Sequence, residues 1–281
     1  MKIIIKNKNF QKKLPQTDKN IQQQLRDTVD FFAKGNYTLH SHQVDGVQWL
    51  LTKELSGHKL GGILGDDPGL GKTIQIAALI YANKSKYFAE TTLIVVPVSV
   101  LSQWKEVMEY VLGEEQVYMH VGNKRAKGSE IKDCCRNKLV CITTYGILTQ
   151  DSIYKVQDKE TKGHFAIHNW YRIVLDEGHQ IRNPKTKVNK IARMLSSHYR
   201  WILSGTPIQN SSADIAALMK FIRAPKLKLK DSVNEFLLRR TKEILYSVGL
   251  LDRFTIVNHS CEFTTGYEQD LYKAIQDQTM Y

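Results

Sequence analysis

The sequence is poor in cysteine and proline and has no long apolar run. Its 281 residues include four cysteines and six prolines. Cys134 and Cys135 are adjacent and no C-x-x-C pair occurs, which disfavours a zinc site and a disulfide framework. No apolar stretch approaches the length of a membrane-spanning helix, and the apolar run at residues 1–5 is too short for a signal peptide. These absences disfavour a secreted protein and a membrane protein.

Acidic residues are scarce relative to basic ones. The chain has 28 Asp and Glu against 40 Lys and Arg, a formal net charge of +12. Such an excess favours a polyanionic partner, although charge alone leaves DNA, RNA and an anionic membrane open. A hydrophobic content of 42% is ordinary for a globular protein. The length allows one sizeable domain with an appendage, or two small domains.

A glycine-rich stretch at residues 65–73 precedes the apolar run of residues 74–81. Glycines allow a loop to bend tightly around a ligand, and a lysine followed by a threonine at a helix start is typical of a phosphate-binding loop. The Lys side chain would neutralise outer phosphates and the Thr hydroxyl could ligate Mg²⁺. A glycine-rich turn beside a basic helix start is the alternative for this stretch alone. The predicted nucleotide contacts are Asp66, Asp67, Pro68, Gly69, Leu70, Gly71, Lys72 and Thr73.

A second candidate centre follows the apolar run of residues 171–175. Asp176 and Glu177 stand at the carboxyl end of this predicted strand. There, one carboxylate can hold Mg²⁺ and its neighbour can orient or deprotonate an attacking water. Asp176 and Thr73 are therefore the predicted metal ligands, and Lys72, Asp176 and Glu177 the predicted catalytic residues.

The order of predicted elements indicates an α/β fold. Continuous apolar runs, such as residues 93–96, suit strands covered on both faces, and they alternate with segments of helical spacing. Gln43 opens the first amphipathic helix, where its amide could read the adenine edge or lie at the surface. Residues 150–168 are polar and predict a surface loop. Residues 204–210 form a polar turn after a strand, where open α/β sheets place ligand loops.

Composition also suggests three regions. Residues 1–35 carry a basic excess without a firm apolar period and predict an N-terminal appendage. Residues 36–230 hold the strand–helix alternation. Residues 231–281 differ in composition: residues 236–242 form a basic amphipathic element, and a strand at residues 254–258 and a helix at residues 267–275 are predicted.

Taken in order, the blocks around residues 39–50, 65–75, 94–104, 142–145, 176–179, 204–210 and 238–242 resemble the Swi/Snf-type ATPases of helicase superfamily 2. The resemblance implies a P-loop NTPase with a RecA-like parallel sheet flanked by helices on both faces, here the first lobe of a two-lobed motor. It further implies ATP and Mg²⁺ as cofactors, and duplex DNA or nucleosomes as partners. The implied location is the nucleus, or the cytoplasm of a prokaryote.

By the same resemblance, several residues acquire expected roles. Gln43 would contact adenine. Nucleotide state would be coupled to DNA grip by His179, Ser204, Gly205 and Thr206. The DNA backbone would be met by Pro97, Ser99, Thr143, Thr144 and Tyr145, for which helix caps and strand ends are the alternative. The sequence departs from the family at Pro68, which gives up one N–H of the phosphate loop.

By the resemblance, residues 231–281 would be a helical bridge and the start of a second lobe. Only 39 residues follow Lys242, too few for the rest of a lobe of ordinary domain size. The resemblance places the arginine that stabilises the transition state in that lobe. We therefore expect this chain to bind ATP but to hydrolyse it weakly unless a second lobe or a larger complex completes it. Two alternatives remain: a non-catalytic module that binds nucleotide and DNA, and an RNA helicase of the same superfamily, which the block at residues 204–210 disfavours.

Overall fold

Seven parallel strands form the central sheet of the computed structural model, which describes residues 19–55, 61–84, 91–127, 130–156, 159–163, 166, 168–205, 212–225, 229–247 and 249. The strands of this sheet are β1 (Gly62–Leu64), β2 (Thr92–Val96), β3 (Val117–Met119), β4 (Val140–Thr144), β7 (Asn169–Leu175), β8 (Ser196–Leu203) and β9 (Leu237–Leu238). Their order is β3-β4-β2-β7-β8-β1-β9, and every neighbouring pair is parallel. The predicted parallel α/β sheet is therefore confirmed.

Helices cover both faces of this sheet. They are α1 (Lys19–Lys34), α2 (Ser41–Leu55), α3 (Lys72–Ala82), α4 (Leu101–Leu112), α5 (Glu130–Cys135), α6 (Tyr145–Asp151), α7 (Lys187–Met194), α8 (Ser212–Phe221), α9 (Leu229–Phe236) and α10 (Lys242–Ser247). The first four helices pack on one face, and α5 to α9 pack on the other. None of the described helices has the length and apolar content needed to cross a membrane.

The apolar strand residues divide between two hydrophobic cores because successive side chains of a strand point to opposite faces. In β2, Leu93 and Val95 belong to the core beneath α5 to α9, whereas Ile94 and Val96 belong to the core beneath α1 to α4. All four side chains are fully buried. This explains why the sequence shows a continuous apolar run rather than an alternating one.

A buried polar cluster joins α2 to the sheet. Glu54, near the end of α2, accepts hydrogen bonds from Arg172 Nε (2.6 Å), Trp201 Nε1 (2.8 Å) and Asn83 Nδ2 (2.8 Å). Arg172 and Glu54 are both fully buried in their side chains. A buried charge pair of this kind is tolerated only when its remaining hydrogen-bonding groups also find partners, as they do here.

Helix α1 corrects our interpretation of the N-terminal region. Within residues 19–34 an apolar stripe does exist, because Ile21 and Phe32 are buried in the core beneath α1 to α4. The Phe31 ring also stacks on Tyr81 of α3 at a centroid distance of 3.9 Å. The prediction that this segment lacks an apolar period was wrong. The three glutamines at residues 22–24 separate its buried residues in sequence, so the apolar stripe was not recognised.

Two further segments differ from expectation. Within residues 150–168, where a surface loop is predicted, the chain forms an antiparallel pair of strands, β5 (Ile153–Val156) with β6 (Lys159–Lys162). Strand β9 lies within the predicted bridge but pairs with β1 at the edge of the sheet. The strand predicted at residues 254–258 and the helix predicted at residues 267–275 lie outside the described residues.

Candidate functional site

The predicted phosphate loop connects β1 to α3, and two glycines shape it. Gly69 and Gly71 have φ angles of 87° and 78°, in the left-handed region that favours glycine. Gly71 immediately precedes the first residue of α3. A Cβ atom built on Gly71 would lie 2.3 Å from Gln43 Nε2, so the loop also needs glycine there for space.

Lys72, the first residue of α3, points back into this loop. Its ammonium donates hydrogen bonds to the carbonyl oxygens of Asp66 (2.7 Å) and Asp67 (3.3 Å). Burial lowers the pKa of Lys72, and the nearby carboxylates of Asp66, Glu177, Asp176 and Asp67 oppose that shift. The negative charges of Asp176 and Glu177, at the tip of β7, therefore interact with the Lys72 ammonium.

The first of these acids, Asp176, is held by three neighbours. Trp104 Nε1 donates to its Oδ2 at 2.7 Å, and the backbone N–H of Glu177 donates to its Oδ1 at 3.0 Å. The hydroxyl of Tyr145 donates to its backbone carbonyl oxygen at 2.6 Å. Burial raises the pKa of Asp176, while the Trp104 bond lowers it. The carboxylate is thus fixed in orientation.

Trp104 and Tyr145 were not assigned these roles from the sequence. Trp104 is buried, as apolar residues at helical spacing commonly are. Burial gives no information about where the indole N–H points. Only the register of β2 beside β7 brings α4 and the tip of β7 together.

Glu177 adopts an unusual backbone conformation beside Asp176. Its φ and ψ angles are 49° and 53°, in the left-handed region, although it is not glycine. Its carboxylate Oε2 lies 3.1 Å from Nδ1 of His179, and both side chains are partly exposed. Strained backbone of this kind is typical of functional residues. The structure thereby brings together the predicted catalytic residue Glu177 and the predicted coupling residue His179.

A buried cluster of charged and polar side chains supports the loop from below. Arg240 Nε donates to Asp66 Oδ1 at 2.9 Å, and Arg240 Nη2 is also paired with Asp66 Oδ2. Gln75 of α3 accepts from Arg240 Nη2 at 2.8 Å and donates to Asp66 Oδ2 at 3.2 Å. Asp66 and Arg240 are fully buried. Asp66 is therefore a structural anchor of the loop rather than a group open to a ligand.

The turn after β8 packs against the same loop. A Cβ atom on Gly205 would lie 3.0 Å from Cδ and Cγ of Pro68, so glycine allows the close approach. Arg239 Nη1 donates to the Gly205 carbonyl oxygen at 3.3 Å. Ser204 is buried, and its N–H donates to Leu64 of β1 at 3.2 Å. Thr206, the last of the predicted coupling residues, lies outside the described residues.

Gln43 lies in the first turn of α2, against the loop. Its Oε1 accepts from the His40 N–H at 3.0 Å, and its Nε2 faces Gly71. Neighbouring His42 places Nε2 3.3 Å from the Leu70 carbonyl oxygen, and burial lowers the pKa of His42. Gln43 is buried, so the surface alternative for this residue does not hold.

The residues expected to meet DNA divide into two groups. Pro97 is partly exposed and Ser99 exposed, in the turn after β2, where Val98 is 74% exposed. Thr143 and Tyr145 are instead buried and donate to the carbonyl oxygens of His120 (2.9 Å) and Asp176.

Thr144 caps α6 by accepting from the Ile147 N–H at 3.4 Å. The hydroxyls of Thr143, Thr144 and Tyr145 thus bind within the protein, which favours the alternative of helix caps and strand ends. Contact between this block and DNA stays a prediction. Ser99 remains accessible, but it lies inside a 3₁₀ turn and does not cap α4.

The donor set at this edge of the sheet fits Mg²⁺ bound together with phosphates. Within the described part of the chain, no three His, Cys, Asp or Glu side chains converge as a metal cage. Mg²⁺ is commonly held by one or two protein oxygens plus phosphate and water. Asp176 is oriented by its hydrogen bonds, and Thr73 is partly exposed in the first turn of α3. Both residues could supply such oxygens.

Comparison with known proteins identifies a family and several relatives. A family model described as the SNF2-related domain matches residues 42–232. An uncharacterized ATP-dependent helicase of Schizosaccharomyces pombe is 36% identical over 201 residues, which cover 66% of this chain and 19% of that protein. A probable global transactivator of Orgyia pseudotsugata multicapsid polyhedrosis virus is 34% identical over 221 residues, covering 73% of this chain and 42% of that protein.

A solved structure gives the same result for the fold. The SWI2/SNF2 ATPase core of Sulfolobus solfataricus in complex with dsDNA matches with a TM-score of 0.59 and 27% identity, covering 73% of this chain and 45% of that one. The chain thus spans less than half the length of each of these three relatives. The RecA-like fold predicted from the sequence is confirmed. Because the SNF2-related domain model matches residues 42–232, well over half of its length, the chain belongs to the SNF2 family.

Proposed function

We propose that this chain is the ATP-binding lobe of a DNA-dependent ATPase that moves along duplex DNA. The observation that carries the proposal is the position of the Lys72 ammonium. It lies in the phosphate loop, and the carboxylates of Asp176 and Glu177 at the tip of β7 act on its pKa. A phosphate-binding cation opposite two strand-tip acids is the arrangement that phosphoryl transfer to water requires.

Each residue of the site has a defined part in this proposal. The backbone N–H groups around Gly69 and Gly71 receive phosphate oxygens, and Lys72 neutralises their charge. Bound Mg²⁺, held by Thr73 and Asp176, would neutralise charge on the phosphates and orient them. Glu177 orients the attacking water and can accept its proton.

The adenine end of the ligand is assigned to Gln43. Its amide offers both a donor and an acceptor, and it lies beside Gly71 at the mouth of the loop. Coupling to DNA is assigned to the turn at Ser204, Gly205 and Thr206 and to His179. Gly205 supports this because it touches Pro68 of the loop, and His179 because it contacts Glu177.

Duplex DNA is the proposed track, alone or in nucleosomes. The net charge of +12 supports a polyanionic partner. The accessible turn of Pro97 and Ser99 follows β2, which pairs directly with β7, the strand that ends at the proposed catalytic acids. Hydroxyls and backbone N–H groups in such a turn position a phosphate backbone without reading sequence. A role in transcription, repair or chromatin remodelling follows from this chemistry, in a nucleus or in the cytoplasm of a prokaryote.

The first test measures nucleotide binding to this chain with a fluorescent, non-hydrolysable ATP analogue and Mg²⁺. We expect Lys72→Ala to weaken binding by at least tenfold. Lys220→Ala is the matched control, because Lys220 is an exposed lysine in the last turn of α8. Equal affinity of wild type and Lys72→Ala would contradict the proposed site.

The second test measures ATP turnover with and without duplex DNA, in this chain and in a protein that also carries the second lobe. We expect weak turnover by the chain alone and strong DNA stimulation in the two-lobed protein, abolished by Glu177→Gln. If DNA binding depended on salt but not on Lys72, and no protein turned over ATP, the non-catalytic module would be the correct function. Stronger stimulation by structured RNA would indicate an RNA helicase.

A further inference from the structure

We propose that Lys242 is a second lysine of the phosphate cradle, supplied by the segment that leaves the lobe, and that Arg240 is the positioning residue that holds it there. The proposal rests on the nucleotide site proposed above. It assigns a ligand class, the triphosphate chain of a nucleotide, to a side chain outside the glycine-rich loop.

The ammonium of Lys242 lies over the crown of the loop. A Cβ atom built on Gly69 would lie 3.7 Å from Lys242 Nζ and 3.9 Å from its Cε. Gly69 has a φ angle of 87°, so the backbone there is turned as in a loop that presents its N–H groups to an anion. A cation this close to Gly69 could contact a phosphate that is bound to the backbone N–H groups of the loop.

Backbone hydrogen bonds fix the segment of residues 238–242 beside the loop. Gly65 donates to the Leu238 carbonyl oxygen at 2.7 Å, and Asp67 donates to that of Arg240 at 3.0 Å. The N–H of Lys242 donates in turn to Asp67 Oδ2 at 3.1 Å. These three bonds hold the backbone of residues 238–242 against the loop, so that Lys242 lies next to Asp67.

Arg240 anchors this arrangement from the buried side. Its guanidinium pairs with Asp66 and donates to Gln75 Oε1, and its Nη1 donates to the His42 carbonyl oxygen. A Cβ atom on Gly46 would come within 2.7 Å of Arg240 Nη2, which shows how little space surrounds the guanidinium. Arg240 therefore cannot shift without disturbing α2, α3 and the loop together.

The balance of charge favours an anion at this position. The loop carries two carboxylates, Asp66 and Asp67, which would repel phosphate. Arg240 pairs with Asp66, and Arg239 Nη2 lies 3.6 Å from Asp67 Oδ1. With each of these two carboxylates matched by an arginine, the loop and the segment beside it keep the positive charges of Lys72 and Lys242, while Asp176 and Glu177 lie at the tip of β7. Among the described residues, no ion pair joins the Lys242 ammonium to a carboxylate.

The test compares nucleotide affinities of Lys242→Gln, Lys242→Arg and Lys220→Gln in the full chain. The probe is the same fluorescent ATP analogue with Mg²⁺, titrated at two salt concentrations. We expect Lys242→Gln to weaken binding about tenfold and to reduce its salt dependence, and Lys242→Arg to retain most of the affinity. Lys220→Gln, on an exposed face of α8, should bind as wild type does.

Two outcomes separate this proposal from the one it rests on. If wild type binds the analogue and Lys72→Ala does not, but Lys242→Gln binds as wild type, only the role of Lys242 fails. If wild type does not bind the analogue, the nucleotide site itself fails. Thermal unfolding without nucleotide checks folding, and it should be unchanged in Lys242→Gln because the bond to Asp67 uses the backbone N–H.

Discussion

Asp66 and Arg240 form a fully buried ion pair across 174 residues of sequence, with Arg240 Nε 2.9 Å from Asp66 Oδ1. The pair connects the phosphate loop to the segment that follows β9. A third partner, Gln75, bonds to both side chains, so that the hydrogen-bonding capacity of the two charged groups is largely used. Local loop geometry thus depends on a residue far away along the chain.

We predict that Asp66→Ala lowers the free energy of unfolding by about 3–5 kcal/mol, because Arg240 would remain as an uncompensated buried charge. Chemical denaturation of the full chain measures this. Asp133→Ala is the control, since Asp133 pairs with Arg136 at 2.9 Å with both side chains largely exposed. We expect that substitution to change stability by no more than about 0.5 kcal/mol. Similar losses in the two variants would argue against a special role for the buried pair.

Trp104→Phe should weaken Mg²⁺-dependent nucleotide binding about threefold to tenfold. The substitution removes the indole N–H that orients Asp176 Oδ2 and lowers the pKa of Asp176, so the carboxylate loses an orienting hydrogen bond and its pKa rises. A Mg²⁺ titration at fixed nucleotide analogue measures the effect. Trp170→Phe is the matched control because Trp170 is equally buried but lies at the start of β7, away from the site. An equal change in Mg²⁺ dependence in both variants would show that packing alone is responsible.

Gly205→Ala should displace the phosphate loop and lower nucleotide affinity by about tenfold. The added methyl group would lie 3.0 Å from the Pro68 ring, which cannot rotate away as a flexible side chain would. The expected control is Gly146→Ala in α6, where no atom lies within 4 Å of the added Cβ. That variant should bind normally and unfold at the same or a slightly higher temperature. Normal binding by Gly205→Ala would mean that the two loops move independently.

Stability should fall as the pH drops from about 6.5 to about 4, in part through His168. Burial lowers the pKa of His168 from 6.5 to about 4, with a smaller contribution from Lys132. Across that range the unfolded chain binds a proton that the folded chain does not, so acid favours unfolding.

The variant that tests this is His168→Phe, which keeps a ring against Trp170, 4.3 Å away in wild type. Relative to its own stability at pH 7.5, the variant should lose about 1–3 kcal/mol less than wild type by pH 4. The pKa values of His42 and His120 are also lowered by burial, so both proteins should retain some acid sensitivity. Identical pH profiles would show that His168 does not contribute.

The sequence was informative where the signal is local. Continuous apolar runs such as that of β2 predicted strands buried on both faces, and the glycines before Lys72 predicted the turn that the structure contains. The end of β7 just before Asp176 and Glu177 was also predicted, because two acidic residues that directly follow an apolar run can be recognised in the sequence.

What could not be predicted depends on packing between distant segments. Arg240 looked like one member of a basic amphipathic stretch, and only the pairing of β9 with β1 places it against Asp66. The DNA role expected for Tyr145 comes from the family resemblance, which does not show that the fold turns its hydroxyl toward the backbone carbonyl oxygen of Asp176. The polar composition of residues 150–168 likewise did not reveal the antiparallel pairing of β5 with β6.

Strand β9 is only two residues long, so few backbone bonds hold the outgoing segment to the edge of the sheet. The amide proton of Asp67 is donated to the carbonyl oxygen of Arg240 and is therefore protected only while that segment stays in place. The rate at which this proton exchanges with deuterated solvent would report transient detachment of the segment. A slower rate after nucleotide is added would show that the ligand stabilises the pairing of the segment with the loop.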